Sequence, residues 1–252
     1  MGDIQKMLSE IEELRGQLKN GPGLNEGEEK RLLEQFMVEY TYNSNAIEGS
    51  TLTLHETALV VLEGLTVDAK PLKEHLDAIG HRDAFEYIVR IAKSQEPLTE
   101  RIIKEIHSLV LVNDAQNKGK YRGVSVRILG ALDMPPFPDQ VPAQMQELLK
   151  AYESDIRHPI EKIADFHILF ERIHPFIDGN GRVGRLIMNL ELIKAGYAPI
   201  DVKFKDRSHY IDCFRDYAKT GNSNQFIEMV AKYQIEELKN LIFVLSFKNK
   251  TG

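Results

Sequence analysis

Between residues 163 and 196 the chain has to make two helices joined by a short polar junction. Ile163, Phe166, Phe170 and Ile173 fall on one helical stripe, and Val183, Leu186, Ile187, Leu190 and Ile193 fall on another. Pro175 ends the first helix, because the residue before a proline is pushed out of the α region. Gly196 suits the position just past the second helix, where a left-handed backbone closes the last turn. The second helix therefore starts at about Gly181, and a buried helix delivers His174 to the junction.

The junction reads His174-Pro175-Phe176-Ile177-Asp178-Gly179-Asn180-Gly181-Arg182-Val183-Gly184-Arg185. Free N–H groups at a helix N-terminus point at an anion, and the helix dipole favours negative charge there. Gly179 and Gly181 permit close backbone approach, and Asn180 tolerates left-handed geometry while bringing an amide donor. Arg182 and Arg185 are three apart and share a helical face, and a guanidinium fork matches phosphate oxygens in pairs. Asp178 is a hard oxygen ligand beside that phosphate site, of the kind Mg²⁺ uses when it keeps most of its waters. His174, with an ordinary pKa near neutrality, suits a general base. In a plain turn, the two arginines would oppose the helix dipole by about a few tenths of a kcal/mol each.

A second constellation is Ser44-Asn45-Ala46-Ile47-Glu48-Gly49, which follows a helical stripe of Leu32, Leu33, Phe36, Met37 and Tyr40. Ser44 and Glu48 are four apart on one face, and Gly49 suits the position past the helix end. Glu48 then sits at the negative end of the helix dipole and wants a positive partner from elsewhere in the fold.

The junction is similar to the signature of the Fic (Fido) family, H-x-F-x-[D/E]-G-N-G-R-x-x-R, at every specified position. The resemblance covers roughly residues 35–220. It implies a protein adenylyltransferase that moves AMP from ATP–Mg²⁺ to a Ser, Thr or Tyr hydroxyl of a target protein. On that likeness His174 deprotonates the hydroxyl, Phe176 anchors the loop and Asp178 holds Mg²⁺. Gly179, Asn180 and Gly181 form the anion hole, Arg182 contacts the phosphates and Arg185 holds the γ-phosphate. Tyr210 and Tyr217 are candidates for the adenine pocket. His167, seven residues before His174, reads as a packed or orienting residue. The Ser44–Gly49 segment resembles the family's inhibitory motif, [S/T]-x-x-x-E-[G/N], in which the Glu pairs with the second signature arginine. Here that implies an intramolecular Glu48–Arg185 brake.

The rest of the chain is almost entirely helical in period. Ile4, Met7, Leu8, Ile11, Leu14 and Leu18 form a first amphipathic helix that packs on the core or on a second copy, so a homodimer is open to it. Gly21-Pro22-Gly23 breaks it, and Thr53-Leu54-His55-Glu56 reads as a capping box. Residues 72–91 continue helical, and Ile102, Ile103, Ile106 and Val110 point inward from another helix, with His107 beside them as a satisfied core histidine. Residues 207–219 and 224–247 read as two final helices. The exception is 123–130, which alternates and runs into Pro135-Pro136-Phe137-Pro138. It predicts a short β-hairpin with a stiff exit. By the family resemblance this hairpin is a flap that holds the target near 123–138 by strand addition. The expected fold is all-α with that hairpin. Residues 1–94 form a helical region carrying the inhibitory motif, 95–220 the catalytic core and 221–252 a C-terminal helix packed on it.

Composition excludes several other classes. With 252 residues, 42% hydrophobic and 28% charged, the chain is globular. A net charge of −6 gives no nucleic-acid footprint. The single Cys213 rules out an internal disulfide framework and fits a reducing, cytoplasmic setting. No apolar run is long enough for a membrane span, and no signal peptide pattern is present. Two other readings of the site stay open. One is a de-AMPylating hydrolase in which Glu48 orients a water; the other is a non-catalytic adaptor that senses a nucleotide. Family members with a matching turn also transfer other phosphate-linked groups.

Overall fold

The computed structural model describes residues 2–21, 23–128 and 132–251, with side chains described to residue 246. Ten α-helices are present among the described residues: α1 (Gly2–Asn20), α2 (Glu26–Ile47), α3 (Leu54–Glu63), α4 (Leu72–Ala92), α5 (Glu100–Val110), α6 (Val141–Ser154), α7 (Pro159–Ile173), α8 (Asn180–Lys194), α9 (Arg207–Thr220) and α10 (Asn224–Thr251). Single 3₁₀ turns at Pro138–Gln140 and Phe204–Asp206 lead into α6 and α9. No helix among the described residues is long and apolar enough to cross a membrane.

Local chemistry sets most of the boundaries. The Thr53–Glu56 capping box opens α3 with both reciprocal bonds formed, and Asn25 with Glu28 does the same for α2. Thr99 caps α5, whose Ile102, Ile103, Ile106 and Val110 are all buried. Gly49 takes φ +103 and its N–H bonds the Ala46 carbonyl at 3.0 Å, so α2 stops within the Ser44–Gly49 segment.

α8 is the axis of the fold. Val183, Leu186, Ile187 and Leu190 enter one apolar cluster together with residues of α2, α4, α5, α6 and α7. Met188 and Leu192 enter a second cluster built with α1, α10 and the opposite side of α7. Both sides of α8 are thus buried, and each fully buried aliphatic side chain stabilises by about 1.5–3 kcal/mol. Residues on either side of position 95, such as Ile88 and Ile103, share the first cluster. α1 lies along α10, with Glu10 and Lys239 paired at 2.7 Å.

The expected hairpin is not seen as one. Residues 123–128 and 132–137 carry no strand, and 129–131 lie outside the described residues. Arg122 holds this segment instead of a ladder: Nη1 donates to the Val124 carbonyl at 3.0 Å and Nη2 to the Pro136 carbonyl at 2.6 Å. Three prolines at 135, 136 and 138 supply no N–H for strand pairing. Val124, Leu132, Met134 and Phe137 are exposed along it.

Candidate active site

α7 ends at Ile173, and His174 turns the chain with φ 49° and ψ 60°. The residue before Pro175 is thus left-handed rather than extended. Such a backbone costs about 1–3 kcal/mol in a non-glycine residue and persists only where its surroundings hold it. Here the His174 N–H bonds the Phe170 carbonyl at 3.0 Å. Arg122 Nε donates to the His174 carbonyl at 2.8 Å, and the Arg122 N–H donates to the Pro175 carbonyl at 2.9 Å. The His174 Nδ1 lies 3.3 Å from the Glu171 carbonyl. A carbonyl only accepts, so Nδ1 carries the proton and Nε2 keeps its lone pair. Burial holds the imidazole below its ordinary pKa, aided by Arg122 and opposed by the Glu171 carbonyl, so it is neutral at pH 7.

Phe176 is fully buried and stacks on His107 at 3.7 Å between ring centroids. Asn180 closes the turn: its Oδ1 accepts from the Phe176 N–H and its Nδ2 donates to the Phe176 carbonyl, each at 2.9 Å. The side-chain amide expected to face an anion is therefore engaged with the loop. The main-chain donors remain. The first intrahelical bond of α8 runs from the Val183 N–H to the Gly179 carbonyl at 2.9 Å, leaving the Asn180, Gly181 and Arg182 N–H groups with no acceptor in the helix.

His107 is the core histidine expected, and it also holds the loop. The Gly119 N–H donates to its Nδ1 at 2.8 Å, so Nε2 bears the proton and donates to the Asp178 carbonyl at 3.1 Å. Burial lowers its pKa to about 4. Nothing in the spacing of residues 107 and 178 announces this contact.

Asp178 is half-exposed, with its Oδ1 accepting from the Gly179 N–H at 2.6 Å and Lys73 Nζ 3.5 Å from Oδ2. Burial alone would raise its pKa; Arg182, the Gly179 N–H and Lys73 outweigh that and hold it below the usual carboxylate value. No group of three metal-ligating side chains occurs among the described residues. One hard carboxylate beside a phosphate site fits Mg²⁺, which takes one or two carboxylates plus phosphate oxygens. Arg182 is almost fully buried, 2.8 Å from Asp77 Oδ1 and 3.5 Å from Asp178 Oδ1. Asp77, on α4, was not legible as part of the site.

A pocket of about 800 Å³ opens beside the junction, lined among others by His174, Gly181, Arg185, Glu48 and Tyr210. Arg185, 1% exposed, is the most constrained group in it: Nη2 meets Glu48 Oε1 and the Ser44 carbonyl, both at 2.8 Å, and Nε donates to Ser44 Oγ at 3.0 Å. Burial alone would depress the guanidinium pKa, but Tyr210 and Glu48 beside it raise the pKa instead. The structure thus brings the two motifs together through Ser44, Glu48 and Arg185. Tyr210 lines the pocket with its hydroxyl 2.7 Å from His167 Nε2 and 3.5 Å from Arg185 Nη1, and burial lowers the His167 pKa to about 3. Tyr217 is not among the lining residues and lies under Arg172. Glu171, which the sequence did not single out, also lines the pocket. Its Oε1 is buried without a partner, and burial, with Glu48 nearby, pushes its pKa up to about 8.

Residues 97–192 match the Fic/DOC family. A curated protein adenylyltransferase Fic from Nematostella vectensis is 35% identical over 233 residues, covering 90% of this chain and 54% of that protein. A protein of the same name from Culex quinquefasciatus is 31% identical over 232 residues, covering 90% and 46%. The chain spans about half the length of these curated relatives. Among solved structures, a Fic domain containing signaling protein from Bacteroides thetaiotaomicron superposes with a TM-score of 0.85 at 30% identity, covering 94% of this chain and 97% of that one. Fic-1 from C. elegans superposes with a TM-score of 0.88 at 26% identity, covering 98% and 74%.

Proposed function

This chain belongs to the Fic/DOC family, and from that membership we propose that it is a protein adenylyltransferase, moving AMP from ATP to a Ser, Thr or Tyr hydroxyl of a target protein. The name carried by its curated relatives supports the reading. The observation that carries it is the convergence of His174, Gly181 and Arg185 on one pocket.

His174 Nε2 takes the proton of the target hydroxyl. The hydroxyl oxygen then attacks the α-phosphorus in line, forming the new P–O bond as the bond to pyrophosphate breaks. The main-chain N–H groups at the start of α8 and the Arg185 guanidinium stabilise the phosphate charge, and positioning with electrostatics does most of the work. Asp178 would hold Mg²⁺, which supplies charge neutralisation on the phosphates when bound. The target would lie along residues 123–138, where exposed apolar side chains and main-chain groups outside any ladder suit an extended peptide.

Glu48 then acts as a brake. It holds the guanidinium that the γ-phosphate requires, so ATP seats with its α-phosphate turned away from attack. A second reading rests on one observation: the Glu48 side chain is 42% exposed while only Oε1 bonds Arg185, which leaves Oε2 to orient a water. In that case Glu48 serves removal of AMP from a modified protein. A neutral His174 with its Nε2 lone pair fits either enzyme better than a sensing adaptor, which needs no base. Incubation of the protein and its Glu48→Gly variant with ATP labelled at the α- or γ-position, in a cell lysate, tests the proposal. Label that depends on the added protein, above lysate alone, is expected from the α-position only. Protein-dependent transfer of γ-label, or no α-label with either protein, would overturn it.

A further inference from the structure

Four arginines line the pocket: Arg172, Arg185, Arg207 and Arg215. Three are paired with carboxylates, Arg172 with Asp133 at 3.0 Å, Arg185 with Glu48 at 2.8 Å and Arg215 with Asp212 at 3.1 Å. Arg207 has no ion pair among the described residues. Its Nε donates instead to the main-chain carbonyl of Ile47, at 2.8 Å. Ile47 is the last residue of α2 and the neighbour of Glu48. A cation of the nucleotide pocket therefore grips the inhibitory helix by its final carbonyl.

The placement serves α2 and not α9. Arg207 is the first residue of α9, where the helix dipole disfavours a positive charge, and no acidic residue follows in that turn. The C-terminus of α2 favours a cation, yet α2 has no basic residue in its own last turn. Arg207 supplies that charge from another element. A guanidinium offers five donors in a fixed fork that matches phosphate oxygens in pairs, and a phosphate adds an ionic attraction that the neutral Ile47 carbonyl lacks. A polyphosphate entering the pocket competes with the Ile47 carbonyl for this group on favourable terms.

We propose that Arg207 couples nucleotide binding to the brake: it positions α2 through the Ile47 carbonyl and exchanges that acceptor for a phosphate oxygen of ATP, which loosens Glu48 from Arg185. The inference rests on reading the pocket as an ATP site and Glu48 as inhibitory. Arg207 is a positioning residue in this scheme, and it acts on the reaction through α2.

Hydrogen exchange at the end of α2 tests it without relying on activity. The Glu48, Gly49 and Ser50 N–H groups bond the Asn45 and Ala46 carbonyls at 3.0–3.1 Å and report on that turn. In the unaltered protein, saturating ATP–Mg²⁺ should speed their exchange several-fold. In Arg207→Ala, exchange should already be fast without nucleotide and change little on ATP saturation, with binding verified by calorimetry. Arg207→Lys, which keeps the charge, should fall between the two. AMP transfer should rise about ten-fold in Arg207→Ala, the order expected for a bond to a charged group, and show no further rise when Arg207→Ala is added to Glu48→Gly. Unchanged exchange in Arg207→Ala, or the same ATP response in both proteins, overturns the proposal. If Glu48→Gly transfers no AMP, the functional reading has failed, and the exchange measurement still decides the role of Arg207.

Discussion

Glu48 stands over Gly181: a β-carbon on that glycine would overlap the Glu48 carboxylate and come within 3.1 Å of Arg185 Nη1. The residue whose N–H has no acceptor within α8 is thus also the one whose missing side chain admits the Glu48 carboxylate. On the proposed reading, Glu48 and a bound phosphate compete for the same small region. That competition gives the first prediction its direction.

Glu48→Gly should raise AMP transfer by about ten-fold or more, on the scale of roughly 1.4 kcal/mol per decade. Ser44→Ala should act in the same sense but more weakly, because it removes the Oγ contact to Arg185 while the Ser44 carbonyl keeps its bond to Nη2. Arg185→Ala releases the brake and loses the γ-phosphate contact together, so it should not reproduce Glu48→Gly. Both directions should be assayed on a pre-modified target. Loss of AMP removal in Glu48→Gly, without gain in transfer, would make Glu48 a catalytic group and not a brake.

His174→Ala should lose about 10²–10⁴-fold in transfer and keep ATP binding. Because burial lowers the His174 pKa, the base form persists to more acid pH than for an exposed imidazole. In the Glu48→Gly background, single-turnover transfer should hold level as pH falls from 8 to about 6.5 and decline only below that. A decline centred above pH 7 would exclude the neutral-base geometry.

Asp178→Ala should raise the Mg²⁺ concentration needed for transfer and abolish the metal's enhancement of ATP binding. Titration calorimetry of ATP with and without Mg²⁺ reads this directly. Equal enhancement in both proteins would show that Asp178 is not the ligand.

His107→Leu should reduce both stability and transfer. It leaves the Gly119 N–H and the Asp178 carbonyl without their partner, at about 1–3 kcal/mol for each buried group. The pH dependence has a definite sign. With a folded pKa of about 4 against an ordinary 6.5, neutral His107 contributes stability that is present above pH 6.5 and is lost as pH falls toward 4. Urea unfolding should therefore show a larger deficit for His107→Leu at pH 7 than at pH 5.

Glu171→Gln should change stability with the opposite sign. The folded carboxyl, with a pKa of about 8, keeps a proton that the unfolded chain releases near its ordinary value of 4.5. Stability from this group is present below pH 4.5 and is lost as pH rises through 8, at up to about 1.4 kcal/mol per pH unit. The glutamine variant removes that slope. Relative to the unaltered protein it should gain stability between pH 5 and pH 8, and a constant difference across that range would refute the buried neutral carboxyl.

Much of this site can be read along the chain because its parts lie close together in sequence. His174, Asp178, Gly179, Gly181 and Arg185 fall on one helix end and one turn, and the period that predicts α8 also predicts its free N–H groups. Ser44 and Glu48 are four apart on one helix, so their shared face follows from the 3.6-residue repeat. The hairpin over 123–130 is the counter-example: alternation suggests a strand, but residues 123–128 carry none, and Arg122 bonds the Val124 and Pro136 carbonyls where a ladder is expected.

What the sequence alone determined is the helical class, the helix ends set by local caps, and the chemistry held within the two short motifs. Only the tertiary structure decided the rest. It placed Asp77 against Arg182, His107 beneath the 174–180 loop, Arg207 on the end of α2 and Glu171, its Oε1 without a partner, beside the pocket. The first three of these join residues far apart in the chain, and burial dominates the charge state of His107 and Glu171. Helical period and capping act over a few residues and leave a local trace. Long-range pairing and desolvation depend on which surfaces meet when the helices pack around α8, and no local pattern encodes that.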